Sequence, residues 1–237
     1  MIVIKKELLD KLIEDMEKCR NCTSIMSRYG KDYSLVNIYK DKEFSKTIPS
    51  IWTDWYNRLD SSIMIIGQDW GPYKDMVRIY DKYKIDKTDY NWNNKKKKKK
   101  SSTKRQIKKY LALSSNGRVS TLDNIYFTNA IMCARKGENY RGDNINLKFS
   151  TMCCSSFLKR QIDIVKPKAI ITRGYYPLLS ISSIYNFKIK DTLKDTIDST
   201  PEIDVGKIKI IPTYHPVAQV KIQEQIKQYM RIWKYIK

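Results

Sequence analysis

The spacing of apolar positions divides the chain into two kinds of segment. In residues 5 to 20, Leu8, Leu9, Leu12, Ile13 and Met16 recur at helical spacing, which predicts an amphipathic helix running into Cys19-Arg20-Asn21-Cys22. Residues 30 to 60 form an irregular, aromatic-rich approach with Ile48-Pro49-Ser50-Ile51-Trp52 and Trp55-Tyr56. The pattern then becomes a series of short, solid apolar runs. Ile63-Met64-Ile65-Ile66 leads into Gly67-Gln68-Asp69 and a Trp70-Gly71-Pro72 turn, the mark of a buried parallel strand. Asn124 to Cys133, Lys166 to Gly174 and Lys207 to Pro216 read as three more strands.

Helical stretches separate these strands. They lie beyond Tyr73, over Thr103 to Leu113, through Phe157 to Ile162, and from about Gln219 to Ile236 with Val220, Ile226, Met230 and Trp233 on one side. Strands alternating with helices predict an α/β fold, a three-layer α/β/α arrangement with a central four-stranded parallel sheet. One domain over residues 1–237 accommodates this pattern, and no internal repeat is evident. A Lys-rich loop at about 93–102, including Lys95 to Lys100, interrupts it. Its like charges repel, so it reads as a segment able to reach a phosphate backbone, or as an idle solvated insertion.

Charge adds a partner to this outline. Lys and Arg number 46 against 25 acids, a formal net charge of +21. That surplus favours a polyanion, nucleic acid first, because each phosphate neutralised releases counterions. An AT-rich coding sequence would also enrich Lys, Ile, Asn and Tyr. No apolar run reaches membrane-spanning length, and the N-terminus lacks the order of a signal peptide. The expectation is a monomer with no membrane partner, in the cytoplasm and associated with nucleoid or nucleus through DNA.

Candidate chemistry gathers at strand ends. Parallel strands deliver their last residues to one sheet edge, so Asp69, Asn129 and His215, the sole histidine, can converge although far apart in sequence. Two of them also have a structural reading, Asp69 as a cap of the following helix and His215 as a satisfied buried residue. The five cysteines are Cys19, Cys22, Cys133, Cys153 and Cys154. An odd number in such a chain argues for metal ligation or buried thiols over a disulfide framework. Cys19 and Cys22 form a C-x2-C knuckle at a helix end, able to aim two thiolates at one point.

Gly67-Gln68-Asp69 resembles the water-activating motif, Thr128-Asn129-Ala130 the base-reading asparagine motif, and His215-Pro216 the histidine-proline motif of the uracil-DNA glycosylase superfamily. Order and spacing agree over roughly residues 19 to 233. Asn129 to Lys136 with Phe157 to Gly174 looks closest to the branch carrying an iron-sulfur cluster. By this resemblance Cys19 and Cys22 join Cys133 and Cys154 around a structural 4Fe-4S cluster, and Cys153 remains an ordinary buried thiol. On thiolate chemistry alone, zinc is the alternative.

The resemblance implies a DNA glycosylase that removes uracil from single- or double-stranded DNA and so initiates base excision repair. Asp69 would stabilise sugar cation character and orient water, and His215 would donate to the departing base. Gly67, Gln68 and Asn129 would bind it, with Tyr90 or Trp92 stacking on its face. Val217 or Val220 would fill the gap left in the duplex, and Lys104 and Arg105 would grip DNA. Trp70-Gly71-Pro72 replaces the Pro-Tyr-His of the best-known branch, and Val217-Ala218-Gln219-Val220 replaces a serine and an intercalating leucine. A non-catalytic nucleic-acid-binding module, or a glycosylase for another deaminated base, is the rival expectation.

Overall fold

The computed structural model describes residues 2–21, 35–41, 48, 53–86, 103–115, 125–136, 147–216 and 218–235. The first element is helix α1 (Ile2–Lys18), which buries Leu9, Leu12 and Met16. Four strands form the parallel part of the sheet: β2 (Ile63–Gly67), β3 (Ile125–Asn129), β5 (Ala169–Arg173) and β7 (Ile208–Thr213). Their lateral order is β3-β2-β5-β7. The expected four-stranded sheet needs one correction. β6 (Ile203–Val205) adds a fifth strand beside β7, antiparallel to it. At three residues, with Asp204 exposed, β6 is too short for its alternation to register in the sequence. A separate antiparallel pair joins β1 (Leu35–Val36) to β4 (Ala134–Arg135).

Successive side chains on a strand point to opposite faces, and the helices divide accordingly. On one face Met64, Ile66, Tyr126, Ile170 and Ile210 pack in a core with residues of α1, α2 (Tyr73–Asp86), α4 (Leu147–Val165) and α5 (Tyr175–Tyr185). On the other, Ile63, Ile65, Ile125, Ile171 and Ile211 meet Ile107, Tyr110 and Leu111 of α3 (Thr103–Ser114) and Tyr229 of α7 (Ile222–Met230). The result is the expected three-layer arrangement. Both sheet faces are covered, which is why these strands are solid apolar runs.

Two helices escape the sequence pattern. α5 is apolar nearly all round, Tyr-Tyr-Pro-Leu-Leu-Ser-Ile-Ser-Ser-Ile-Tyr, so no polar face marks its period. α6 (Leu193–Ser199) is short and starts at Thr192, whose hydroxyl accepts from the Asp195 N–H at 3.1 Å. Among the described residues, no helix is long and apolar enough to cross a membrane.

Candidate active site

The four parallel strands end in phase. Gly67 is level with Asn129, and Arg173 with Thr213. Counting in twos from Ile65, Phe127, Ile171 and Ile211 puts all four last residues on the α3/α7 side of the carboxyl edge. Three of them bear side chains and Gly67 does not, so the row has a notch at its second position. The Arg173 guanidinium and the Asn129 amide oxygen both lean into that notch. A β-carbon at Gly67 would collide with the guanidinium's terminal nitrogen and with Asn129 Oδ1, with the guanidinium carbon 3.3 Å away. Asn129 is 5% exposed.

Beyond Gly67 the chain turns through Gln68, Asp69 and Trp70. Gly71 has φ 88°, a left-handed conformation that favours glycine, and its N–H donates to Asp69 Oδ1 at 2.7 Å. Gln68 Nε2 donates to Asp69 Oδ2 at 2.9 Å, and Arg135 Nε lies 3.4 Å from the same oxygen. The ion pair is buried, with side chains 2% exposed for Asp69 and 6% for Arg135. Asp69 thus caps a turn that precedes α2. The Trp70 indole faces inward, donating to Met132 O at 2.8 Å and lying 6.1 Å from the Trp55 ring.

This loop is fastened to the one after β3. Ala130 N–H donates to Gly67 O and Ile131 N–H to Gln68 O, both at 2.8 Å, and Arg135 N–H donates to Gly71 O at 3.0 Å. The Asp69 and Asn129 arms therefore form one double-layered ledge.

The third arm, after β7, is held from the α3/α7 side. Gln228 Oε1 accepts from Tyr214 N–H at 3.1 Å, Gln225 Nε2 donates to His215 O at 3.4 Å, and Tyr110 Oη donates to Pro216 O at 3.0 Å. The His215 pKa is pulled down to about 4, first by burial and then by the Arg173 guanidinium, while the Asp69 carboxylate opposes the shift. The imidazole is therefore neutral near pH 7, with one N–H to donate. That His215 feels both Arg173 and Asp69 also puts the third arm beside the other two.

The structure thus brings Gly67, Gln68, Asp69, Asn129 and His215 together and adds Arg135, Arg173 and Tyr110. Arg173 closes an apolar strand at the same edge, so the rule that selects Asp69, Asn129 and His215 applies to it too. Arg135 has no such signal, because a two-residue strand reached through tertiary packing leaves no pattern. Of the expected DNA contacts, Val220 is half-buried, its N–H donating to Ala218 O at 2.8 Å, and Lys104 and Arg105 fall at the start of α3. Tyr90, Trp92, Lys95 to Lys100 and Val217 lie outside the described residues.

The cysteines meet elsewhere, between α1, the β3–β4 loop and α4. Cys19, Cys133 and Cys154 line one cavity with Met16, Asn21 and Tyr39. The Asn37 amide holds the end of α1 there, donating to Met16 O, Glu17 O and Cys19 O at 2.8, 3.2 and 3.3 Å. The Cys133 thiol is pushed up, first by burial and then by Cys154 and Cys19. Cys154 Sγ accepts from Met132 N–H at 3.4 Å. Cys153, expected to be a buried thiol, is half-buried, and its thiol donates to the carbonyl of Asn21 at 3.8 Å. Among the described residues no three Cys, His, Asp or Glu side chains are placed to hold a metal ion, and Cys22 lies outside them. Cys19, Cys133 and Cys154 share this one cavity, with Asn21 on its wall, but the described residues alone do not form a metal-ligand set.

A sheet parallel but for β6, set between helical layers with a carboxylate, an amide, an imidazole and a guanidinium at its carboxyl edge, is an α/β architecture of the kind whose ligand sites lie at the strand ends. Residues 53–237 match the uracil DNA glycosylase superfamily, and the chain belongs to it. Membership suggests a DNA glycosylase, a hydrolase acting on DNA. The matched segment holds Asp69, Asn129, His215, Cys133 and Cys154, while Cys19 and Cys22 precede it. A comparison with curated proteins finds no match.

Proposed function

We propose that this protein hydrolyses the N-glycosidic bond of uracil in DNA, the opening step of base excision repair. The observation supporting this most directly is the meeting of Asp69, Asn129 and His215 at one sheet edge, where the His215 imidazole responds to the Asp69 charge. A base inside a duplex is out of reach, so it must first rotate into the pocket. The surplus of basic residues would hold the backbone, with Lys104 and Arg105 near it. Val217 or Val220 would occupy the gap, and Tyr90 or Trp92 would stack on the base.

Asn129 reads the polar edge of the base. The Asp69 carboxylate is held in one orientation, because Gly71 N–H, Gln68 and Arg135 already engage its oxygens. That suits it to stabilise cation character on the sugar, with remaining acceptor capacity to orient the water. His215, neutral, donates a hydrogen bond to a carbonyl of the departing base.

Cys19, Cys22, Cys133 and Cys154 would hold the 4Fe-4S cluster of the iron-sulfur branch, with zinc as the alternative. Such a group would tie α1 to the sheet and serve stability.

The test is base release from single-stranded oligonucleotides containing uracil. Asp69→Asn and His215→Ala are each expected to slow release by about a hundredfold or more; unchanged rates would refute the catalytic assignment. A second reading, DNA binding without catalysis, is favoured by the burial of Asp69 against Arg135. It predicts tight binding of DNA with no base release from uracil, hypoxanthine, xanthine or G·T substrates.

A further inference from the structure

In the row of strand ends, β5 lies between β2, which leads to Asp69, and β7, which leads to His215. Its last residue must therefore stand between those two arms. That residue is Arg173, and its guanidinium does not extend into solvent along the strand. It leans sideways over Gly67, where the absent β-carbon leaves room, and comes up beside Asn129 Oδ1. From there its charge acts on the His215 imidazole in front and on Tyr229 of α7 behind.

We infer that Arg173 is a base-contacting residue of this site, whose guanidinium takes up the negative charge of the departing base and donates to its carbonyl oxygen. The inference rests on the glycosylase reading above and names a participant that reading does not contain.

The chemistry supplies the need. When the C1′–N bond breaks, its electron pair leaves with the base, which departs as an anion. Water oxygen then adds to C1′ and gives up a proton, and the base is protonated on or after release. A neutral His215 can donate a hydrogen bond to that anion but carries no charge to balance it. Asp69 is itself an anion, and Asn129 is neutral. Arg173 is the cation standing in the row between Asp69 and His215, and a guanidinium keeps its charge at every working pH. A fixed cation placed where charge develops acts in the transition state without reorganising.

Placement beside Asn129 has a second consequence. With Oδ1 turned toward the guanidinium, the amide presents its NH2 group to the pocket, so the two side chains together offer donors. They favour a base edge rich in carbonyl oxygens, the edge uracil shares with xanthine, over the amino edge of cytosine or adenine.

Arg173→Gln and Arg173→Lys keep a polar stem of similar length and are compared with the parent protein after thermal melting confirms folding. Single-turnover release is measured for uracil and for 5-fluorouracil, whose anion is intrinsically more stable. Arg173→Gln should lose about a hundredfold on uracil and about tenfold less than that on 5-fluorouracil, with Arg173→Lys in between. An equal loss on both bases, or none, overturns the inference. A second arm needs no turnover. Binding of free 5-fluorouracil should tighten as pH rises through its ionisation in the parent and not in Arg173→Gln, and pH dependence that is absent from the parent or equal in both proteins overturns it. Should the parent release no base from any DNA while still binding that anion through Arg173, the glycosylase reading fails and the Arg173 assignment stands.

Discussion

Replacing Gly67 by alanine tests the geometry of the site with one methyl group. The backbone at Gly67 is not in the left-handed region, so alanine carries no conformational penalty there. Restricting the unfolded chain would even stabilise the protein by about 0.4–1 kcal/mol. Against this, the new β-carbon arrives inside van der Waals contact with both the Arg173 guanidinium and Asn129 Oδ1. Overpacking of this kind costs about 1–3 kcal/mol. Arg173 is the far end of a flexible side chain and can retreat, whereas the Asn129 amide is short and 5% exposed. The net loss should thus be small, about 1 kcal/mol, which lowers the melting temperature by roughly 2–4 °C in a protein of this size. Activity should suffer more, because in the proposed mechanism both displaced groups contact the base, and a misplacement near 1 Å can cost about a hundredfold. Thermal melting and single-turnover base release read the two effects separately. In an Arg173→Ala background half of the collision is gone, so the added cost of Gly67→Ala should shrink, a coupling a double-mutant cycle would measure. If Gly67→Ala melts and turns over like the parent, the two side chains do not meet above Gly67.

The remaining expectations are narrower. His215 is the only histidine, so one imidazole resonance reports it, and its midpoint should fall at about 4 instead of the ordinary 6.5. Between those values the unfolded chain binds the proton and the folded one does not, so stability should decline as pH falls through that window and stop declining from this source below it. A midpoint near 6.5, or a urea midpoint flat across the window, contradicts this. Tyr110→Phe removes the hydroxyl that donates to Pro216 O at 3.0 Å and should cost about 0.5–1.5 kcal/mol in urea denaturation. It should slow base release as well, since the His215 loop loses a tether; an unaffected rate would mean that α7 alone positions the loop. For the cysteines, the proposed cluster predicts metal in the parent by elemental analysis, lost in Cys154→Ser and kept in Cys153→Ser. The reverse pattern would move the fourth ligand to Cys153.

The parallel sheet was legible because burial on both faces writes each strand as a solid apolar run, and Ile63–Ile66 could hardly be anything else. The candidate edge was legible for a related reason: Asp69, Asn129 and His215 each interrupt or follow such a run, where a polar side chain has no structural cause in the strand itself. Arg173 obeys the same rule, although a basic residue at a strand end is also what a solvated strand tip would carry. What hides Arg135 and Tyr110 is different. Arg135 enters the site through pairing with Leu35 and hydrogen bonding to Gly71, contacts between distant segments that leave no local period. Tyr110 shares its helix with apolar residues facing the sheet, so only the fold reveals that its hydroxyl reaches Pro216. α5 was missed for want of polar positions, and β6 for want of length.

The backbone hydrogen bonds between residues 67–71 and 130–135 bear on how this pocket can be altered. Adding or deleting a residue in either segment would put one or more of these three rungs out of register and so loosen the Asp69 turn from the loop after Asn129. Substitution within the ledge, at fixed length, is therefore the open route to a new base preference. The His215 loop is anchored to helices instead, through Tyr110 of α3 and Gln225 and Gln228 of α7. The two sides of the edge are thus braced by different parts of the fold, one by its neighbouring loop and the other by the helical layer.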